Sequence, residues 1–173
     1  MSTHEHKRGI KQHYRSAVLT ISSSRYSELL KGKTIDDRSG DLIKRMLEED
    51  GHEVAEYDLL PDNTLAIEVK VSQLVRSGVD VIISTGGTGL TTKDVTIEAI
   101  SPMIEKEIVG FGELFRYKSF DEVGSAAVLT RAIAGVMMGK LIFCLPGSPN
   151  AVKLAMSEII LPEIPHIMRH IKE

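Results

Sequence analysis

From Ser16 onward, short apolar runs alternate with segments whose apolar residues recur every three or four positions. "SAVLTIS" is followed by a helix-period segment near residues 39 to 50, where Leu42, Ile43, Met46 and Leu47 form one stripe, and then by "HEVAEYDLL". A second such segment, from about Thr64 to Ser77, carries Ile67, Val71, Leu74 and Val75 on one face, stops at Gly78 and leads into "VDVIIS". Repeated strand, helix, strand units leave few topologies open, because parallel neighbours need crossovers and crossovers are right-handed. The expectation is an α/β fold: a single three-layer domain with a mostly parallel sheet and helices on both faces.

The rest of the chain fits that plan. A short helix is expected from about Asp94, with Pro102 as a breaker, and further helical segments at "FGELFRYKSFDEV" and "SAAVLTR". "AIAGVMM" and "KLIFCLP" read as one hairpin turning through Gly139-Lys140. Two closing helices follow, from about Asn150 to Ile160 and from Pro162 to His170, each with proline near its first turn. Residues 1–14 are polar and aperiodic and read as a mobile N-terminal arm before a domain spanning 15–173. The apolar surface around Phe111, Leu114 and Phe115 has no assigned partner in this scheme, which suggests burial between subunits.

At 173 residues the chain is long enough to bury a core without staples. Its one cysteine, Cys144, sits in an apolar strand and reads as a small core residue. A net charge of -3 gives no electrostatic footprint for nucleic acid. No segment has the apolar length of a membrane span, and the first residues lack an apolar leader, so a cytoplasmic protein is expected.

The chemistry gathers where the strands end. "TIS" runs into "SSSR", "DLL" into "PDN", "VIIS" into "TGGTG" and "IFC" into "LPGSPN". In a parallel sheet these four ends share one edge, where crevices form at a change of winding direction. Gly86-Gly87-Thr88-Gly89 could serve only as a turn, but glycines also let backbone N–H groups approach an anion. Neither the G-K-[ST] nor the G-x-G-x-x-G phosphate pattern fits the stretch. Asp62 and Asp94 could each cap the helix behind them; beside a phosphate loop they could instead share a hydrated magnesium with substrate oxygens. Lys93 is placed to steady phosphate charge, or simply to be solvated. Asp37 and Ser39 read first as helix caps. His166 and His170 have i, i+4 spacing, with no third metal ligand nearby.

Taken in order, "SSSR", "DRSG", "LLPDN", "STGGTGL", "KDVTIEA", "GFGELFR" and "LPGSPNAV" resemble the motif series of the MoaB/Mog family of molybdenum-cofactor biosynthesis proteins, from about Ser16 to the C-terminus. The resemblance implies a molybdopterin-binding fold and, as in active members, molybdopterin adenylyltransferase activity with ATP and magnesium. By the same likeness Asp62 and Asp94 are the catalytic and metal-binding residues. Thr85, Gly86, Gly87, Thr88 and Gly89 form the pterin-phosphate and nucleotide loop. Glu113 is the acid of the family's G-x-G-E motif, and Pro146, Gly147, Ser148, Pro149 and Asn150 form the turn that lines the cleft. Ser22, Ser23, Ser24, Asp37 and Ser39 match first-loop positions. Ile97 departs from the family's frequent proline, which loosens the helix start but removes no reacting group.

The likeness further implies a homo-oligomer, a trimer or a hexamer made of two trimers, and a downstream metal-insertion protein as a partner. Two other readings stay open. One is a molybdopterin carrier without turnover. The other is a nucleotide pyrophosphatase of the competence-damage type, whose G-G-L-G-P-T stretch differs from "GGTGLTTKD" here.

Overall fold

The computed structural model describes residues 13–173. Among these, six strands form one sheet in the order β2-β1-β3-β6-β5-β4: β1 Arg15–Ile21, β2 Glu53–Leu60, β3 Val81–Thr85, β4 Lys106–Glu107, β5 Ile133–Met137 and β6 Lys140–Leu145. β1, β2, β3 and β6 are mutually parallel, while β5 runs antiparallel to β6 and β4 antiparallel to β5. The expected mixed α/β architecture is what the chain adopts.

Side chains alternate across the sheet with a period of two, so each strand feeds two cores. Val18, Val81, Ile83, Leu141 and Phe143 pack on one face with α2 (Arg38–Glu49), α5 (Val109–Val123), α6 (Pro149–Ala155) and α7 (Leu161–Lys172). Ala17, Leu19, Ile82, Ile142 and Cys144 pack on the other with α3 (Thr64–Leu74) and α4 (Thr96–Ile100). Ile43 and Leu47 on α2 are fully buried, each contributing roughly 1.5–3 kcal/mol. α1 (Ser23–Leu30) has no fully buried residue, and its short Tyr26, Leu29, Leu30 stripe meets no core: Tyr26 is half-buried and both leucines are exposed. Its start is fixed instead by Ser22, whose side chain accepts from Arg25 N at 3.4 Å.

Several expected boundaries shift, each for a physical reason. The hairpin turns on Met138 and Gly139, both with positive φ (48° and 72°), rather than on Gly139-Lys140. Positive φ at both central residues is the geometry whose twist matches the flanking strands. The two closing helices are one continuous helical run with a π turn at Met156–Ile160 just before Pro162, and Pro165 lies inside α7. Proline has no N–H to donate to the preceding turn, and widening that turn accommodates the loss without ending the helix. α4 starts at Thr96, not at Asp94, and "SAAVLTR" is a 3-10 segment over Gly124–Leu129.

Tyr14, assigned to the arm by sequence, is buried against the α7 side of the core; residues 1–12 of that arm lie outside the described residues. Phe111 and Phe115, expected at the surface, are also core residues. They face inward with Ser119 at helical spacing, leaving Leu114, Tyr117, Phe120 and Val123 exposed on α5.

Full burial pushes the Cys144 thiol up to about 12. Native protein at neutral pH is therefore expected to resist iodoacetamide and to be labelled only in denaturant. Mass spectrometry showing labelling of the folded chain at the rate of a free thiol would contradict the sealed core around β6.

Candidate functional site

After β1 the chain crosses to β2 on one side, and from β2 it returns to β3 on the other side of β1. The carboxyl ends of β1 and β3 therefore flank the point where the winding reverses, the place at which sheets of this kind bind their ligands. Four of the expected segments meet at this edge: the serines after β1, Asp62 after β2, the glycines after β3 and the Pro146–Pro149 turn after β6.

Asp62 and Ser23 are locked reciprocally. Ser23 N donates to Asp62 Oδ2 at 2.7 Å and Asp62 N donates to Ser23 Oγ at 2.8 Å. Helix capping is left to Asn63, whose side chain accepts from Ala66 N at 2.9 Å. Asp62 is thus not a cap. A methyl group built on Gly87 would come within 2.9 Å of Asp62 Oδ1, so the second carboxylate oxygen is turned towards the glycine loop.

The loop is held by its carbonyls. Thr96 Oγ1 donates to Gly86 O at 2.9 Å, Thr96 N to Gly87 O at 2.9 Å, and Arg131 Nε to Thr88 O at 2.9 Å. No peptide here is cis, and in a trans peptide the N–H points opposite to the C=O. The N–H groups of Gly87 and Thr88 therefore turn away from Thr96, and neither finds an acceptor among the described residues. Gly86 (φ 96°) and Gly87 (φ 62°) make this possible, since other residues rarely adopt those angles. Two adjacent unpaired amides of this kind are an arrangement that can bind an anion.

Asp94 behaves differently from Asp62. Its Oδ2 accepts from Thr91 N at 3.0 Å and Thr91 Oγ1 at 2.6 Å, and the carboxylate also accepts from the backbone of Gly89. The Thr91 hydroxyl, then these backbone donors and the Arg131 charge, hold Asp94 below the usual carboxylate range. It closes the loop that contains the glycines and carries a charge there, and it does not cap α4, which has no side-chain cap.

The turn after β6 backs the loop. Thr85 Oγ1 donates to Pro146 O at 2.9 Å, Ser39 Oγ to Gly147 O at 2.8 Å and Gly86 N to Leu145 O at 3.0 Å. A methyl on Gly147 would sit 3.3 Å from Gly86 Cα. Ser148 caps α6, Pro149 follows at its first turn, and Asn150 is exposed beside it.

Some residues expected to meet ligand are otherwise engaged. Asp37 is 3% exposed and caps α2, accepting from Gly40 N, Thr20 Oγ1 and the Tyr57 hydroxyl, so it supports the edge from beneath. Burial and then this carboxylate raise the Tyr57 phenol. Ser22 is spent on α1, with Ser24 exposed 3.2 Å from its hydroxyl. Glu113 is exposed on α5 and makes no hydrogen bond to the loop, and Lys93 is exposed. His166 and His170 pair with each other at 3.1 Å on α7. A shallow groove of about 380 Å³ lies along the outer side of α3, lined by Leu65, Glu68, Val69, Ser72, Gln73 and Arg76, away from all these groups.

Residues 17–166 match the family model described as a probable molybdopterin binding domain. The chain belongs to this family.

Its relatives within the molybdopterin binding family agree along nearly their whole length. It is 44% identical over 169 residues to a Bacillus cereus protein named molybdenum cofactor biosynthesis protein B, with 96% of each chain covered. It is 46% identical over 158 residues to a probable molybdopterin adenylyltransferase of Methanocaldococcus jannaschii, covering 91% of this chain and 93% of that one. The crystal structure of the tungsten cofactor synthesizing protein MoaB from Pyrococcus furiosus superposes with a TM-score of 0.83 at 42% identity, covering 94% and 99%. The family and fold inferred from the motif series are thereby borne out. Sequence reasoning missed Thr96 and Arg131, which hold the glycine loop of this molybdopterin binding domain. Thr96 lies within the quoted "KDVTIEA" but carries no signal of its own there, and Arg131 acts across 43 residues that no local motif spans.

Proposed function

We propose that this chain is a molybdopterin adenylyltransferase of molybdenum cofactor biosynthesis, transferring AMP from ATP to the terminal phosphate of molybdopterin. The observation that carries the reading is Asp62 Oδ1, left unspent beside a loop whose carbonyls are tied back and whose Gly87 and Thr88 amides are unpaired. The name of the M. jannaschii relative supports the same activity.

The chemistry asks little of side chains as acids or bases. An oxygen of the pterin phosphate, already anionic at neutral pH, forms a bond to the α-phosphorus of ATP as the bond to the β-phosphate oxygen breaks and pyrophosphate leaves. What the protein must provide is alignment of two anions and stabilisation of their charge. The loop amides bind phosphate oxygens, the Ser23 lock orients Asp62, and Asp94 keeps the loop closed.

The donor set also fits magnesium that arrives with nucleotide. Among the described residues no group of three His, Cys, Asp or Glu could hold an ion by itself. Two carboxylates, Asp62 and Asp94, suit an ion that takes its remaining oxygens from phosphates and water. Magnesium so held would neutralise phosphate charge as the α-phosphorus is attacked. Incubating the protein with molybdopterin, ATP and magnesium should yield adenylylated pterin and pyrophosphate; binding of molybdopterin with no pyrophosphate released would make it a carrier instead.

We assign it to the cytoplasm as a homo-oligomer, a trimer or a pair of trimers, with a metal-insertion protein downstream. Among the described residues no helix is long and apolar enough to cross a membrane. Support for assembly comes from Leu114, Tyr117, Phe120 and Val123 on α5, followed by Val128 and Leu129, all exposed and close in sequence. Light scattering is expected to give a multiple of 19.0 kDa at micromolar concentration, and a stable 19.0 kDa species would reject the assembly.

A further inference from the structure

Arg131 sits just before β5, 43 residues beyond Thr88 in sequence, yet it reaches both the glycine loop and α4. Nε donates to Thr88 O at 2.9 Å, while Nη1 and Nη2 donate to the two carboxylate oxygens of Glu98 at 2.6 and 3.1 Å. The guanidinium is thus held in the two-pronged geometry that fixes its plane, and its third N–H is aimed at a backbone carbonyl. That carbonyl is the last of the three consecutive ones that decide which way the loop amides face. Thr96 fixes the first two from α4, and Arg131 alone fixes the third.

We propose that Arg131, clamped by Glu98, is a positioning residue for nucleotide phosphate: it pins the Thr88–Gly89 peptide, whose Gly89 N–H meets Asp94, so that the far end of the glycine loop stays in place behind the free Gly87 and Thr88 amides, and it keeps a positive charge beside Asp94. The inference rests on the phosphate role proposed for that loop. Two effects follow from one side chain. Without the third anchor the Thr88–Gly89 peptide is held only through the Gly89 N–H that Asp94 accepts, so the end of the loop beyond the two free amides loosens. Without the guanidinium the loop also loses a positive charge beside the Asp94 carboxylate, and with it part of its attraction for an anion.

A purely structural role predicts something else. Glu98 is half exposed, with a side-chain accessibility of 52%, and ion pairs this open add little to stability. Removing Arg131 should accordingly move Tm by no more than about 4 °C in a chain of this size. Its effect should appear in ligand affinity.

The test compares the wild type with Arg131→Gln, Arg131→Lys and Glu98→Gln, using magnesium pyrophosphate as a calorimetric probe, with turnover and Tm measured in parallel. Arg131→Gln should bind pyrophosphate about 10-fold or more weakly, on the scale of removing one charge-assisted hydrogen bond. Lysine can offer a single bond but not the fork, so Arg131→Lys should fall between the wild type and Gln, and Glu98→Gln should lose a smaller factor. Should Arg131→Gln fail to fold, the Lys variant and Glu98→Gln still carry the comparison.

Pyrophosphate affinity and turnover unchanged in all three variants would overturn the assignment, as would a wild type that does not bind pyrophosphate at millimolar concentration. A wild type that binds the probe but makes no adenylylated pterin would instead defeat the transferase reading, while the affinities still judge Arg131.

Discussion

Asp62→Asn is expected to cut adenylyl transfer by about 100-fold or more while leaving the fold intact, on the scale of removing one preorganised electrostatic interaction with a transition state. The fold is safe because Asn63, not Asp62, caps α3. The Ser23 lock also survives, since an amide oxygen can accept from Ser23 N in place of Oδ2. That orientation turns the amide NH2 towards the loop, where Oδ1 stood. An anionic acceptor beside the phosphate seat is thereby replaced by a neutral donor, and the loss falls on the ligand side.

Asp94→Asn should cost a similar factor by a partly different route, because Asp94 accepts from Thr91 N, Thr91 Oγ1 and Gly89. An amide oxygen satisfies these less well, so looser loop closure adds to the missing charge. Molybdopterin binding without ATP should barely change in Asp62→Asn. If the two aspartates hold one ion, as proposed, the double variant should be little worse than the worse single one, because residues that act as a unit are not additive. Both single variants turning over at the wild-type rate, with magnesium still required, would leave the two aspartates as scaffold and move the catalytic assignment elsewhere along the edge.

Gly87→Val should abolish ligand binding. At φ 62° a β-branched residue is strained in any surroundings, and here the surroundings are occupied. A Cβ would run into Thr96 Oγ1, lie 2.9 Å from Asp62 Oδ1 and 3.1 Å from Ile21 Cγ2. Relief requires moving the hydroxyl that holds Gly86 O or the carboxylate that faces the loop, and either movement dismantles the phosphate seat. Gly139→Ala is the matched control: φ is 72° and nothing lies within 4 Å of the added methyl, so it bears the backbone strain without touching the site. Calorimetry with molybdopterin and with ATP reads both. A folded Gly87→Val protein that binds like the wild type would reduce Gly87 to a turn residue; if valine prevents folding, Gly87→Ala poses the same question with a smaller group.

The sheet is readable in the sequence because its strands are short apolar runs joined by amphipathic helices, and the four parallel strand ends follow from that order alone. α1 is hard to read, for it is only two turns long and sets its apolar residues, Tyr26, Leu29 and Leu30, against no core. Pro162 looks like the start of a new helix because the π turn that absorbs its missing N–H leaves no mark in composition. Met138 in a left-handed conformation hides the true hairpin turn, since methionine is not a residue one expects there. Phe111 and Phe115 look like surface because α5 is apolar on more than one side, and only packing shows which side the core claims.

At the site, the glycines and aspartates announce themselves by residue type and spacing. Their division of labour does not. Whether an aspartate after a strand caps a helix, locks a loop or faces a ligand depends on which donors lie within hydrogen-bonding reach, and Ser23 is 39 residues away from Asp62 in the chain. Thr96 and Arg131 are ordinary residues by type, and only the carbonyls they bind give them importance.

The sheet ends on one side in β2, a full-length strand with no neighbour beyond it among the described residues. Such a border is a template for self-assembly, because its outward backbone groups can recruit the same strand from another molecule. Glu53, Glu56 and Asp58 lie along it; Lys70 bridges the last two at 3.1 and 3.2 Å and Arg15 meets the first at 3.3 Å. Lys44 lies over the ring of Tyr57 on the same strand and is paired with Asp41, so four acids against three bases leave this border anionic, and two copies approaching it side by side repel. Exposed charges lose sight of each other beyond about 10 Å in roughly 0.1 M salt. Concentrated salt, which leaves both cores untouched, is therefore the condition under which strand-to-strand aggregation should set in, and turbidity followed against ionic strength, in wild type and in Glu56→Gln, measures how much of the protein's colloidal stability this one border supplies.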